Sequence, residues 1–291
     1  MAITAVVWAG PEGGVWYRGR SFQYICDHDA DAADAVRRLQ QNEYLTARDL
    51  NYWTGILGKG LRIAGNVFGL VAALQGGPWP FSYSDPGEIE AYRRKINDRL
   101  AGIGITVSHG VPMERVRSAA RDVQLTDGLP ETVAGLRGLG IFQAAASNDL
   151  GPFVYAVANR VGGVDIIETA PVKIAEGRKD RVFDGSMMNS AGSLVGDFKG
   201  GYGSMKAALD SLHGKGYTGS NLLVVGGLDP DLESMQRVKD EKGVCIGFNP
   251  DIDTQRMFER RGLPLLIQNT PDLRPVLEMA RDPEKVAYYC V

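Results

Sequence analysis

Ala5-Val6-Val7-Trp8 runs directly into Ala9-Gly10-Pro11-Glu12-Gly13. Four continuous apolar residues ahead of a Gly/Pro turn read as a short strand buried on both faces, as in the middle of a parallel sheet. Leu222-Leu223-Val224-Val225 repeats the form and leads into Gly226-Gly227-Leu228-Asp229-Pro230-Asp231. Further short β-rich runs lie at Phe142–Ala146, Val164–Glu168, Val244–Phe248 and Leu263–Ile267. Helical spacing occupies 129–139, 149–161, 204–214, 230–241, 253–261 and 271–280. This β-then-α order predicts an α/β protein with a Rossmann-like parallel sheet and right-handed crossovers.

Residues 17–121 have another texture. They read as mostly helical, over 30–44, 47–75, 87–102 and 111–121. Thr46 followed by Asp49 reads as a helix N-cap with an acid at the third position. The stretch Gly76-Gly77-Pro78-Trp79-Pro80-Phe81 divides these helices into two pairs. The predicted organisation is an α/β core of residues 1–16 and 122–291 with a helical cap of residues 17–121. Such a cap would lie over the carboxyl ends of the strands, where α/β sheets bind ligands. The aromatic residues Tyr44, Tyr52, Trp53, Trp79 and Phe81 read as its core.

Composition narrows the functional classes. A length of 291 residues is enough for a sizeable core. A net charge of −3 offers nothing to attract nucleic acid. Cys26, Cys245 and Cys290 are odd in number and far apart, which argues against a disulfide framework or a zinc site and suits a reducing cytoplasm. The start of the chain enters a strand without a basic and then apolar leader. The most apolar long segment, Gly55–Leu74, carries Lys59, Arg62 and Asn66, so a buried helix is expected there and not a membrane span. Cys290-Val291 does not meet the prenylation pattern. The expectation is a cytoplasmic protein without nucleic-acid or membrane partners.

The two strand ends, their spacing and the intervening helices resemble the haloacid dehalogenase (HAD) superfamily, in the capped style of phosphoserine phosphatase. Glu12-Gly13, the helix around Phe22–Cys26, Glu43-Tyr44-Leu45 and Gly247-Phe248-Asn249-Pro250 are similar, in order, to an archaeal branch that includes the energy-converting hydrogenase R subunit. The resemblance implies Asp-x-Asp/Glu-Gly at the first strand end and Gly-Asp-x-x-x-Asp at the late one. Here Gly10 and Gly227 stand where the leading aspartates belong. The first of those aspartates would be the nucleophile that forms an aspartyl-phosphate, and glycine cannot do this.

The other positions follow from the same resemblance. Glu12 falls at the acid/base position. Ser147, with the backbone N–H groups from Asn148 onward at a helix start, falls where the phosphoryl group is held, an anion-accepting corner by its chemistry; a plain helix cap is the alternative. Lys206, with Lys199 as competitor, falls at the charge-neutralising position. Asp229 and Asp231 remain at the metal-binding end. Glu12 with Asp231 could hold Mg²⁺ weakly through water, and a tight metal site is not expected. A second candidate for the first strand end, Phe22-Gln23-Tyr24-Ile25-Cys26-Asp27-His28-Asp29, has helical spacing at Phe22, Ile25 and Cys26 and no glycine after Asp29.

The expected function is therefore a HAD-like protein without phosphoaspartyl chemistry that binds a small, anionic or phosphorylated ligand between core and cap. The site residues are Gly10, Glu12, Ser147, Asn148, Lys206, Asp229 and Asp231. A protein partner or a second copy is compatible with that. The alternatives are acid/base chemistry by Glu12, Asp229, Asp231 and Lys206, or a residual Mg²⁺-dependent phosphatase.

Overall fold

The computed structural model describes residues 2–41, 111–169, 202–228 and 231–291. The predicted cap helices over 47–75 and 87–102, the Thr46–Asp49 cap and the cap aromatics lie outside the described residues.

Six parallel strands form one sheet in the order β3-β2-β1-β4-β5-β6. They are β1 (Ala5–Ala9), β2 (Phe142–Ala146), β3 (Ile166–Glu168), β4 (Leu222–Gly226), β5 (Val244–Phe248) and β6 (Leu265–Leu266). Every one falls within or against a run expected from sequence. β1 is central and pairs with both β2 and β4. The strand order turns back between β1 and β4, which makes their carboxyl ends the topological switch point of the sheet. The outer edge of β6 is closed by two backbone hydrogen bonds, Leu265 N–H to Val291 O and Val291 N–H to Leu265 O, each 3.0 Å.

Side chains alternate across the sheet and feed two apolar layers. Val6 and Trp8 of β1 join one layer; Ala5, Val7 and Ala9 join the other. The first layer takes α3 (Met113–Asp122), α4 (Leu129–Gly138), α5 (Gly151–Arg160) and α9 (Arg274–Arg281), through Val116, Val133, Phe153 and Val276. The second takes α6 (Tyr202–Gly214), α7 (Leu232–Asp240) and α8 (Ile252–Arg260), through Met205, Leu209, Met235 and Phe258. The α/β class is as expected. A short α10 (Val286–Tyr289) closes the chain.

The described ends of residues 17–121 are built into the first layer. α1 (Ser21–Cys26) buries Phe22 and Ile25, and Trp16 and Tyr17 ahead of it are also fully buried. α3 packs along α5 and α1. The stretch Phe22–Cys26 is thus a helix and not a strand. The Asp29 carboxylate accepts from the backbone N–H groups of Asp31 and Ala32 and so caps α2 (Ala30–Gln41). Asp27-His28-Asp29 accordingly has no place at a strand end. No helix among the described residues is long and apolar enough to cross a membrane.

Packing at β5 is tight enough to test. A Cβ on Gly247 would stand 2.5 Å from Phe258 Cδ1 and 2.7 Å from Leu265 Cδ2. Gly247→Ala is expected to cost about 1–3 kcal/mol through overpacking. Phe258→Leu in the same chain should recover part of that cost. Urea unfolding of the single and double variants measures both, and an unchanged midpoint for Gly247→Ala would contradict the packing.

Candidate functional site

The site grows from the register of the three central strands. Ala9 pairs with Ala146, and Trp8 pairs with Val225. One step further along, Gly10, Ser147 and Gly227 therefore stand side by side at the carboxyl end of the sheet. Gly10 N–H donates to Ala146 O at 2.9 Å. Its φ of +55° is left-handed, a conformation that glycine takes without steric cost. The chain then folds back on itself: Gly13 N–H bonds Gly10 O, and the N–H groups of Trp16 and Tyr17 bond Pro11 O. This loop carries the Glu12 side chain into the protein, where none of it is exposed.

Glu12 is engaged through both carboxylate oxygens. Oε1 accepts from Arg20 Nη1 at 3.2 Å and from the Asn148 backbone N–H at 3.1 Å. Oε2 accepts from Ser147 Oγ at 2.7 Å. Arg20 is itself 1% exposed, so the ion pair is buried on both sides. Burial raises the Glu12 pKa above the usual glutamate value, the Arg20 charge opposes this, and Asp149 nearby reinforces it.

A second buried carboxylate lies beneath the first. Asp149 accepts from Tyr17 Oη at 3.1 Å, from the Ser21 backbone N–H at 2.7 Å, from Ser21 Oγ at 2.5 Å and from its neighbour's Leu150 N–H at 2.9 Å. It ties the start of α1 to the start of α5. Burial, followed by the Asp149 charge, pushes the Tyr17 phenol well above its ordinary range, so this hydroxyl serves as a donor. Asp149 N–H donates to Ser147 Oγ at 3.0 Å, which joins the two carboxylate clusters.

Around Gly10 the floor is close-packed. A Cβ at Gly10 would stand 2.9 Å from Asp231 Oδ2 and 2.9 Å from Leu228 Cδ1. One at Gly13 would stand 2.5 Å from Leu228 Cγ, and one at Gly227 would stand 2.8 Å from the Phe248 backbone oxygen. Leu228 therefore fills the space over the first two glycines and is itself 5% exposed.

The structure brings Gly10, Glu12, Ser147, Asn148, Gly227 and Asp231 together. It places Lys206 on the outward face of α6, bonded to Asp210 Oδ2 at 2.5 Å and 63% exposed, and not against Glu12. Asp229 and Lys199 lie outside the described residues. Arg20, Tyr17, Ser21 and Asp149 were not anticipated as site residues. Asp149, directly after a Ser-Asn strand end, was the one visible signal. The three others belonged to the segment read as cap. Among the described residues the donor set is poor for Mg²⁺: Gly10 and Gly227 supply no side-chain oxygen, both oxygens of Glu12 are held by protein donors, and Asp231 is the carboxylate that remains. Among the described residues no three His, Cys, Asp or Glu side chains gather as a metal site.

Comparison with solved structures decides the fold family. A substrate-bound phosphoserine phosphatase superposes with a TM-score of 0.54 at 12% identity, covering 96% of this chain and 99% of that one. A HAD family hydrolase from Salmonella enterica serovar Typhi gives 0.55 at 13% identity, over 97% of this chain and 73% of that one. This is the HAD fold. Cytosolic 5'-nucleotidase IIIB bound to cytidine shares it, at 0.55 and 14% identity over 98% of this chain and 87% of that one. No protein-family model matches the chain, and no curated protein matches it in sequence. At such identities the likeness is one of fold.

Two predictions follow from this geometry. Below pH 4.5, the ordinary glutamate value, Glu12 is protonated in the folded and the unfolded chain alike. As pH rises the unfolded chain ionises first, so the stability contributed by this group falls until the folded carboxyl has ionised too. Glu12→Gln lacks that loss, so its stability relative to the native chain should rise with pH from 4.5 toward neutrality; urea unfolding across the range tests this, and a falling difference would contradict it. At the glycines, Gly10→Asp should cost about 1–3 kcal/mol for the left-handed backbone and recover part of its packing loss with Leu228→Ala. Gly227→Asp should cost more, because its obstacle is a backbone carbonyl. Thermal unfolding of the three variants gives the order.

Proposed function

We propose that this HAD-fold chain is a binding or regulatory protein that does not perform phosphoaspartyl transfer. Its small-molecule ligand would sit at the carboxyl end of the sheet, at the β1/β4 switch point. One observation carries the reading: the donors of the Ser147–Asn148 corner are spent on Glu12, beside a β1 end that has only Gly10. A phosphoryl group there would meet no side chain at Gly10 and would find the Ser147 hydroxyl and Asn148 N–H already engaged, whereas phosphoryl transfer depends on charge stabilisation and in-line positioning.

Acid/base chemistry by Glu12, Asp229, Asp231 and Lys206 draws less support, since Glu12 is sealed and Lys206 is engaged at the surface. The order of Glu12-Gly13, Phe22–Cys26, Glu43-Tyr44-Leu45 and Gly247-Phe248-Asn249-Pro250 supports kinship with the archaeal branch of capped HAD proteins. The cysteines Cys26, Cys245 and Cys290 are all unpaired thiols, which supports a reducing compartment such as the cytoplasm. A helical cap within 17–121, between the ends that pack on the first layer, and a protein or self-association partner belong to the same proposal.

The test is phosphate release from a panel of small phosphoesters with Mg²⁺, with and without EDTA. The unmodified chain should release phosphate no faster than buffer. EDTA-sensitive release by the unmodified chain would sink the reading. Turnover of a non-phosphorylated substrate that disappears in Glu12→Gln would favour the acid/base alternative.

A further inference from the structure

Glu12 sits in its surroundings as a bound anion would. Its carboxylate meets a guanidinium, a hydroxyl and a backbone N–H in the bend after β2, at 3.2, 2.7 and 3.1 Å. These are the donor types that hold small oxyanions. The backbone at each of the three positions is held by contacts other than Glu12. Arg20 precedes Ser21, whose N–H and hydroxyl are fixed on Asp149, and Arg20 N–H itself donates to Gln23 Oε1 at 2.8 Å. Ser147 N–H is fixed on Glu168 O at 2.9 Å, and Ser147 Oγ also accepts from Asp149 N–H. The socket is thus built from both sides by other contacts.

We propose that Arg20, Ser147 Oγ and the Asn148 N–H form a small-oxyanion site whose resident in this chain is its own Glu12 carboxylate, an internal ligand that any external anion must displace. The consequence is a latent site. Removing the Glu12 head group leaves the hydroxyl and N–H on their anchored backbone, with the buried Arg20 side chain beside a space shaped for a carboxylate. A carboxylate or phosphate ion entering that space restores the charge that was taken away. Removing one partner of a buried ion pair otherwise leaves an uncompensated charge, which is strongly destabilising. This inference stands on the socket geometry and does not depend on whether the protein turns over a substrate.

The experiment is anion-dependent thermal unfolding of the full chain, with acetate and inorganic phosphate as probes and chloride at equal ionic strength as the reference. The native chain should show no response to either ion beyond that of chloride. Glu12→Ala should be destabilised in chloride and should gain about 2–4 °C at saturating acetate or phosphate. Glu12→Gln keeps the volume of the side chain filled and should not respond. Ser147→Ala in the Glu12→Ala background should abolish most of the gain. A response to acetate alone marks a carboxylate-shaped site, and a response to both ions marks a general oxyanion site; each supports the proposal. A folded Glu12→Ala chain that answers acetate and phosphate no more than chloride overturns it. So does a gain that survives Ser147→Ala, since the ion would then bind elsewhere. If Glu12→Ala is unfolded in chloride, refolding in acetate or phosphate should recover it, and failure of both ions to do so also overturns the proposal.

Discussion

The pairing of β1 with two parallel neighbours is the constraint on which the rest of the molecule depends. Its register is held by side chains of alternate parity, with Val6 and Trp8 in one apolar layer and Ala5, Val7 and Ala9 in the other. A slip of one residue would exchange these layers, so the register is strongly specified. Once it is set, the ends of β1, β2 and β4 come level. Gly10, Ser147 and Gly227 then share one row at the carboxyl edge, although they are far apart in the chain.

Two carboxylates buried behind that row organise the first layer. An ionised carboxylate is costly away from water unless its oxygens are met by donors or cations. Glu12 meets Arg20, Ser147 and Asn148, and Asp149 meets Tyr17, Ser21 and Leu150. Together they clamp the loop after β1, the start of α1 and the corner after β2. This corner is turned inward onto Glu12, and Leu228 covers the glycines beside it. The Ser147 hydroxyl and the Asn148 N–H are therefore both engaged within the protein.

Much of this was legible in the sequence. Buried parallel strands are short continuous apolar runs with turn residues after them, so all six strands could be found from pattern alone. The lack of a side chain at the ends of β1 and β4 could also be read, since glycine carries none in any fold. Glu12, Ser147 and Asn148 could be named as residues at strand ends. Their mutual contact could not. The bond from Ser147 to Glu12 spans 135 residues, and spacing along the chain says nothing about such a distance. Arg20, Tyr17 and Ser21 escaped notice because helical texture assigned them to an inserted segment, whereas burial builds them into the core. Lys206 shows the converse. Its place near a helix start was readable, but the burial of Met205 and Ala208 on the inner face of α6 turns Lys206 toward solvent and Asp210.

What the sequence determined by itself was the α/β class, the sheet's strands and the missing side chains at Gly10 and Gly227. These depend on local periodicity and on residue type. What only the tertiary structure decided was the occupant of the Ser147–Asn148 corner and the cation that faces it. That outcome rests on which charged groups burial brings into contact, and contact between distant segments is a property of the packed sheet and its helices, not of any stretch of chain.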